Sequence, residues 1–421
     1  MKILHTSDWH LGHQLCKHSR QQEHDLFIQW LLNTINENNI QLLIISGDIF
    51  DSGFPPNYAL AQYYNFLRSL SDTCCRHAVI VGGNHDMPST LNAPRSLLKF
   101  FHIHVFGGAE PETSLQLVPL YDSGQKLEAI ICAIPFLRAR ELKLNHTGES
   151  YVDKDRNLIE AMSIHYNQLS EMAETFKKKQ SLSVPIIATG HLFTAGGKLS
   201  DTERDLYIGQ SKHLPANYLS KNFDYVALGH LHKCQCPRET PPIYYSGSPI
   251  PLSFNEASHD QYVLIVEFNG KQCESVQKKS VPRFRNLIKI KGHFETIQKE
   301  LANFSTSNLY DLLPWIEIHV LDENPSSNVH DKILSLCDES CFALLKVICK
   351  PPPSQTIHFQ AQQLDDLSPL DVFEKRCEAY DVKGKSYDEL LSTFKELLFL
   401  CDQDVLSTSI SKIRPSGEKP I

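Results

Sequence analysis

Residues 1–12 read MKILHTSDWHLG. Lys2–His5 has the composition of a short buried strand, and it breaks at once into Thr6-Ser7-Asp8-Trp9-His10, where a carboxylate and an imidazole stand two positions apart. The same event recurs four times. Gln41–Ser46 runs into Gly47-Asp48, and Ala78–Val81 into Gly82-Gly83-Asn84-His85-Asp86. Pro185–Thr189 runs into Gly190-His191, and Tyr225–Leu228 into Gly229-His230-Leu231-His232. Further strands are expected at Ala129–Ala133, Ile243–Tyr245 and Tyr262–Glu267, and helices at Gln21–Asn38, Asn57–Leu70, Leu91–Phe101 and Leu158–Lys179. Continuous β-branched runs alternating with helices predict an α/β fold whose sheet is covered on both faces. In such sheets the sites lie at the carboxyl ends of the strands, so five polar clusters should converge on one edge.

The chain has 421 residues, 41% of them hydrophobic and 21% charged, which suits a globular protein of two or three domains. Its formal charge is -8, so it should not coat nucleic acid over its whole surface. Contact with phosphate would need a local basic patch or bound metal. No apolar run approaches the ~18–20 residues of a membrane helix, and the polar opening is unlike a signal peptide. The 12 cysteines form no repeated C-x-x-C pairs, which argues against a zinc ribbon and for free thiols in a reducing cytoplasm. No G-x-x-x-x-G-K-[ST] loop is present, so ATP binding is not expected.

After Gly270 the character changes. Lys278, Lys279, Arg283, Arg285, Lys289 and Lys291 lie in a stretch without acidic residues from Ser275 to Phe294. Strand, helix, strand, helix and strand are then expected at Asn286–Ile290, Thr296–Phe304, Trp315–Val320, Val329–Cys337 and Ala343–Ile348. Pro351-Pro352-Pro353 stiffens a linker. Ser368-Pro369-Leu370-Asp371 is a helix start, with Ser as N-cap and Pro in the first turn. A second helix carries Tyr387, Leu390, Leu391, Phe394, Leu397 and Leu398 on one apolar stripe. Together with Leu370 and Phe373, that stripe needs a covering surface. The expected boundaries are 1–274 for the α/β domain, 275–350 for the small domain, 351–367 for the linker, 368–406 for the helical pair and 407–421 for a disordered tail.

The strand-end clusters assemble two carboxylates (Asp8, Asp48), one amide (Asn84) and five imidazoles (His10, His85, His191, His230, His232). Mixed oxygen and nitrogen donors without thiolate suit Mn, Fe or Zn. Seven or eight donors suit two ions, which at ~3.5–4 Å separation can share a carboxylate, activate water and clamp a phosphate. Any one cluster is weak evidence, since a buried His or Asp is more often a hydrogen-bonded structural group. All five in order are a different matter.

The ordered set D-x-H, G-D, G-N-H-D, G-H and G-H-x-H resembles the calcineurin-like metallophosphoesterase superfamily. The segments ISGDIFDSGFPPNYA, VGGNHD, IPFLR, ATGHL, DYVALGHLHK and YYSGSPIPLSFNE extend that likeness over nearly the whole chain to the SbcD nuclease subunits. The resemblance implies a two-sheet metallophosphoesterase sandwich flanked by helices, a small α/β cap domain and a C-terminal helical hairpin. It also implies two divalent ions, Mn2+ or Mg2+. Asp8, His10, Asp48 and His232 would hold one, and Asp48, Asn84, His191 and His230 the other. His85 would protonate the leaving 3′-oxygen, with Asp86 orienting it. The archaeal and eukaryotic branch often has His after G-D-x-F, where this chain has Asp51, so strand-choice roles of that His do not transfer.

By the same resemblance the partner is an SbcC-type coiled-coil ATPase. The apolar helical pair would grip it in a heterotetramer with a homodimer contact. The substrates are DNA ends and hairpins, and the setting is the cytoplasm at the nucleoid. The expected reactions are 3′–5′ exonuclease action on duplex ends and endonuclease action on single strands and hairpins, in DNA repair, replication and recombination. The basic residues of 278–291 are read as a DNA-contacting face. Alternatives are a small-substrate phosphatase or cyclic-nucleotide phosphodiesterase, and a non-catalytic scaffold. Trp9 is read as packing, His5, His13 and His24 as surface groups or supports to the site, and Cys234 and Cys236 as incidental.

Overall fold

The computed structural model describes residues 1–142, 151–180, 182–194, 214–219, 223–302, 312–321, 329–337, 340–349, 369–379, 382, 384 and 387–397. The linker expected at 351–367, the tail at 407–421 and Leu398 lie outside the described residues. The chain forms two compact units, residues 1–319 with 330–348, and residues 320–329 with 349–421.

The first unit is built on two six-stranded sheets. One has the order β14 (Gln272–Ser280), β13 (Tyr262–Asn269), β1 (Lys2–Thr6), β4 (Leu42–Ser46), β5 (His77–Val81) and β6 (Ile103–Phe106). The other has the order β11 (Gln235–Glu239), β12 (Pro242–Tyr245), β10 (Tyr225–Gly229), β9 (Ile186–His191), β8 (Leu127–Cys132) and β7 (Leu117–Tyr121). β1, β4, β5 and β6 run parallel, as do β8, β9, β10 and β12.

The alternation of strand side chains explains why these strands are apolar throughout. Leu42 and Ile44 enter a core shared with Ile131, Ile187 and Ala227 of the facing sheet. Their neighbours Leu43 and Ile45 join Phe27, Leu31, Tyr63 and Phe66 from the helices Gln21–Glu37 and Asn57–Leu70. On the far side, Ile130 and Ile186 pack with Met162, Tyr166 and Leu169 of the helix Tyr151–Lys179. The layers are therefore helix, sheet, sheet, helix, with each sheet buried on both faces. Polar bonds also cross between the sheets: His5 faces the Tyr225 hydroxyl at 2.9 Å and the Leu228 carbonyl at 3.1 Å, and Ser46 Oγ donates to the Ala227 carbonyl at 3.0 Å.

The helix expected at Leu91–Phe101 is broken into Pro88–Asn92, Arg95–Leu98 and a 3-10 turn, Lys99–Phe101. Pro94 lacks the N–H and its ring crowds the preceding turn. β6, β7, β11 and the short hairpin of β2 (Gln14–Leu15) and β3 (His18–Ser19) were not expected from the sequence.

A three-stranded sheet follows, in the order β15 (Arg285–Gly292), β16 (Leu312–Val320) and β17 (Ala343–Cys349), with helices Phe294–Ala302 and Val329–Ser335. β14 pairs with β13 as far as Ser280. The boundary expected at 274/275 thus falls inside a strand of the large sheet, and Lys278 and Lys279 belong to that sheet rather than to the small domain. In the second unit, the helix Pro369–Ala379 and the helical residues 387–397 meet through Phe373, which stacks on Phe394 at 4.4 Å and lies 6.5 Å from Tyr387. Leu370 and Leu391 are half-buried, whereas Leu390 and Leu397 are exposed. Among the described residues no helix is long and apolar enough to cross a membrane, and the cysteines are free thiols.

Candidate metal centre

The carboxyl ends of β1, β4 and β5 in one sheet meet those of β9 and β10 in the other. The backbone there is strained: Asp8, His10, Asp48 and His230 all have positive φ, at 54°, 50°, 49° and 101°. Non-glycine residues adopt such angles at a cost of order 1–3 kcal/mol each, and they cluster at functional sites. Two glycines make the approach possible. A Cβ on Gly47 would lie 2.2 Å from His191 Nδ1, and one on Gly83 2.1 Å from Asp48 Oδ1.

Asp8, His10, Asp48, His191, His230 and His232 are all buried. Asp48 Oδ2 is central, 3.6 Å from His10 Nε2 and 3.3 Å from His191 Nε2. Asn84 Oδ1 lies 2.9 Å from the same His191 nitrogen. The His191 and His230 rings are 5.5 Å apart, and the His10 and His232 rings 5.1 Å. Three groups of potential ligand atoms fall within 4.8 Å of one another among the described residues, Asp8–His10–His232, Asp8–Asp48–His191 and His10–Asp51–His85. All seven residues expected as ligands are thus brought to one edge.

Several contacts leave ligand atoms aimed inward. His191 Nδ1 donates to the Ser46 carbonyl at 2.9 Å, which leaves Nε2 facing Asp48. His232 Nδ1 is 3.1 Å from Glu256 Oε1. Ser7 Oγ donates to Asp8 Oδ2 at 2.5 Å and contacts Ser246 Oγ at 2.8 Å, while the His230 amide donates to Asp8 Oδ1 at 2.8 Å. Neither ring nitrogen of buried His10 makes a well-aligned hydrogen bond, with Nδ1 3.3 Å from Asp51 Oδ1 and Nε2 3.6 Å from Asp48 Oδ2. A buried imidazole so placed fits a metal ligand. The donor set of carboxylates, amide and imidazoles fits divalent ions.

Electrostatics agree with that fit. Burial raises the Asp8 carboxyl to about 6, an effect offset in part by His191 and His232. Burial alone would raise Asp48 as well, but His191, His10 and His85 hold it well below the usual range. Burial would depress His191, yet Asp48 and Asp8 lift it to about 9. His10 is depressed to about 4 by burial. A proton thus sits on His191 where a cation is favoured.

His85 is half-buried at the mouth, its ring 4.8 Å from that of His10. Its amide donates to Asp48 Oδ1 at 2.9 Å, and its Nδ1–H donates to the Asp51 carbonyl at 2.7 Å. Nε2 is left as the ring position that exchanges a proton. The orienting role expected of Asp86 is not what the geometry shows. The buried Asp86 carboxylate accepts the amides of Gly83, Ile49 and Phe50 at 2.8, 3.1 and 2.9 Å. It ties the two loops together, and the Asp51 carbonyl orients His85.

Other contributors were not anticipated. Arg138 Nη2 donates to the Asp86 and Gly83 carbonyls at 2.7 and 3.2 Å, fixing the loop that carries Asn84 and His85. Glu256, Ser7 and Ser246 lay inside conspicuous sequence blocks, but no spacing rule marks such supports. Trp9 is fully buried against Phe27 and Phe66, as packing. His5 and His24 are also fully buried, and His13 pairs with Asp51 at 3.0 Å.

The basic stretch does not form one face. Arg285 is buried, with Nε 3.0 Å from Glu23 Oε1 and its guanidinium 4.2 Å from the centre of the Trp315 ring. That corrects its reading as a DNA contact, because its charge is spent inside the fold. Lys289 is 3.6 Å from Glu317, Arg283 donates to the His259 carbonyl, and Lys278 lies over Tyr262. Lys279 is half-buried and Lys291 exposed.

A family model described as calcineurin-like phosphoesterase matches residues 1–234, and one described as the type 5 capsule protein repressor C-terminal domain matches residues 283–380. The chain is 34% identical over 403 residues to the SbcD subunit of the SbcCD nuclease of Escherichia coli K12, covering 94% of this chain and 98% of that one. It is 31% identical over 294 residues to the SbcD subunit of the Bacillus subtilis SbcCD nuclease, covering 69% and 72%. The chain belongs to the SbcD nuclease family. As a member it carries a metallophosphoesterase domain and is a metal-dependent hydrolase. In this chain the five motif blocks are complete and sit at the strand ends.

Proposed function

We propose that the protein is a two-metal DNA phosphodiesterase that works with an SbcC-type ATPase. It would remove nucleotides 3′ to 5′ from duplex ends and cut single strands and hairpins, in DNA repair, replication and recombination. The observation that carries this reading is the placement of His85, with Nδ1 fixed by the Asp51 carbonyl and its half-buried ring 4.8 Å from His10 of the buried donor cluster. Asp8, His10, Asp48 and His232 would hold one ion, and Asp48, Asn84, His191 and His230 the other, with Mn2+ the favoured metal and Mg2+ the second choice. When bound, the ions supply charge neutralisation at the phosphate and lower the pKa of water. The residues of the chain do the rest. Asp48 sits between the two histidine sets, Ser46 and Glu256 set ring tautomers, and Asp86 and Arg138 hold the loop of His85. His85 Nε2–H donates the proton that the leaving 3′-oxygen needs.

Lys278, Lys279 and Lys291 would meet the DNA backbone, and the exposed Leu390 and Leu397 the ATPase. A heterotetramer with a homodimer contact, located at the nucleoid, is the assembly that fits.

The test is cleavage of a hairpin duplex with Mn2+, for wild type and His85→Ala, with and without the ATPase. The expected result is metal-dependent cutting by wild type and its loss in His85→Ala. Turnover of a small phosphoester without any DNA cleavage would overturn the nuclease reading. Full activity in His85→Ala would overturn the acid role.

A further inference from the structure

The small three-stranded domain meets the metallophosphoesterase domain at the Leu15–His18 hairpin, at the start of the helix Gln21–Glu37 and at residues 251–257, and three separate kinds of contact lead to the last of these. Phe254 and Ala257 are buried in one apolar cluster with Leu287 and Trp315. Lys289 Nζ donates to Asn255 Oδ1 at 2.9 Å. The third contact is a buried relay. Glu23 Oε1 accepts from Arg285 Nε at 3.0 Å and from Arg20 Nε at 2.6 Å, and Arg20 Nη1 donates to the Pro251 carbonyl at 2.7 Å. Both guanidiniums lie over the Trp315 ring, at 4.2 and 5.6 Å.

The same stretch carries Glu256. Its Oε1 is 3.1 Å from His232 Nδ1, and its Oε2 accepts the Leu252 amide at 2.8 Å. The Leu252 carbonyl in turn lies 3.1 Å from His13 Nε2, whose other nitrogen faces Asp51. A carboxylate on a metal-ligating imidazole fixes its tautomer and ring orientation, and loss of such a partner weakens metal affinity about 10–100-fold. A hydrogen bond of that length does not survive a displacement of about 1 Å. Whatever moves residues 251–257 therefore moves the support of His232.

We propose that residues 251–257 couple the position of the small domain to one metal site. Glu256 is a positioning residue acting through His232, and the Arg285–Glu23–Arg20 and Lys289–Asn255 contacts hold the turn that carries it. The inference rests on the two-ion reading above. It predicts reciprocity: a ligand that displaces the small domain loosens the ion at His232, and that ion in turn favours the docked domain. The ion at Asn84 and His191, whose supports come from Ser46 and the 83–86 loop, is not linked in this way.

The experiment uses the full chain, with Mn2+ titrated by electron paramagnetic resonance to count ions and read each affinity, and with hydrogen exchange followed over 251–257. Wild type should bind two ions. Glu256→Ala should weaken one of them 10–100-fold, and Glu256→Gln, which keeps an acceptor for His232 Nδ1–H, should recover most of the loss. Arg285→Met should weaken the same ion several-fold while speeding exchange at 251–257. Lys289→Met, a milder change at the rim, should act in the same direction and keeps the test open if Arg285→Met folds poorly. Two ions with wild-type affinities in both small-domain variants, despite faster exchange at 251–257, would overturn the coupling. So would equal weakening of both ions. A wild-type chain that binds no Mn2+ would overturn the two-ion reading itself, an outcome separate from the other two.

Discussion

Two groups of charged and polar side chains in this molecule are assembled by opposite rules. The donors around Asp48 come from five segments scattered between Asp8 and His232, yet they meet at one buried edge, most of their ligand atoms in groups within 4.8 Å. The six cations between Lys278 and Lys291 are close in sequence and end on different surfaces, with Arg285 inside the fold and Lys291 in solvent. Parallel strands bring their carboxyl ends together whatever the sequence separation. Nearness in sequence gives no such convergence: Lys278 and Lys279 are neighbours on one strand and point to opposite faces, while Arg285 and Lys291 share a strand but differ in how far the fold covers that part of it. Convergence is a property of topology, and a count of charges along the chain does not measure it.

The sharpest break in this comparison is at the site. His85→Ala should lower kcat on DNA by about 10²–10⁴, the usual contribution of a positioned acid. Metal binding should stay at wild type, because the His85 ring nitrogens are not among the proposed ligands. A steady-state assay beside a Mn2+ titration reads both. If metal affinity falls together with kcat, His85 is a ligand or a structural support rather than an acid.

In the other region the strongest effect should be on stability. Arg285→Met removes one of two cations from a buried carboxylate that Arg20 still pairs, so the loss should be that of hydrogen bonds to charged groups, about 1.5–3 kcal/mol. Lys291→Met, a few residues along the same strand but exposed, should change stability by less than about 0.5 kcal/mol. Denaturant melts of the two variants measure the contrast. Equal losses would mean that burial does not separate these two cations.

Much of this architecture was legible in the sequence because its signals are local. The apolar runs of β1, β4, β5, β9 and β10 end where glycine, aspartate and histidine begin, and each ligand sits within a few residues of its strand end. What escaped is non-local. Arg285 looks like its cationic neighbours until Glu23, at the start of a distant helix, is placed beside it. Asp86 follows His85 and reads as its partner, but the crossing of the β4 and β5 loops turns its carboxylate onto the amides of Ile49 and Phe50. Glu256 ends a conspicuous block, but nothing in its spacing points to a histidine, and only the fold puts it on His232. Pro94 was visible, yet the apolar periodicity around it outweighed the break it imposes.

The site also makes a prediction in pH. In the metal-free protein His191 binds a proton up to about 9, and a ligated imidazole must lose it. Below that value, each ion bound at His191 releases one proton, so affinity should rise with pH by up to about tenfold per unit. Asp8, raised to about 6, adds a second proton below that point, so the slope should steepen there. Isothermal titration in two buffers of different ionisation enthalpy counts the protons. No proton release at pH 7 would mean that His191 is neutral beforehand, and that Asp48 does not hold the charge assigned to it.

The smallest effect expected belongs to the exposed cations, and it decides how much of the basic stretch still serves DNA. A lysine that neutralises one phosphate releases about one counterion, so Lys291→Ala should lower the slope of log affinity against log salt by about 1 and weaken binding uniformly across sequences. Lys278→Ala should do the same, although the lysine already lies over Tyr262. The Arg285→Met slope should match wild type under conditions where the variant is folded, because the guanidinium is buried and held inside the fold by Glu23, Gln22 and the Leu313 carbonyl, out of reach of a phosphate. A reduced slope in Arg285→Met, with the lysine variants unchanged, would reverse the assignment and place the DNA backbone on the small-domain side of Trp315.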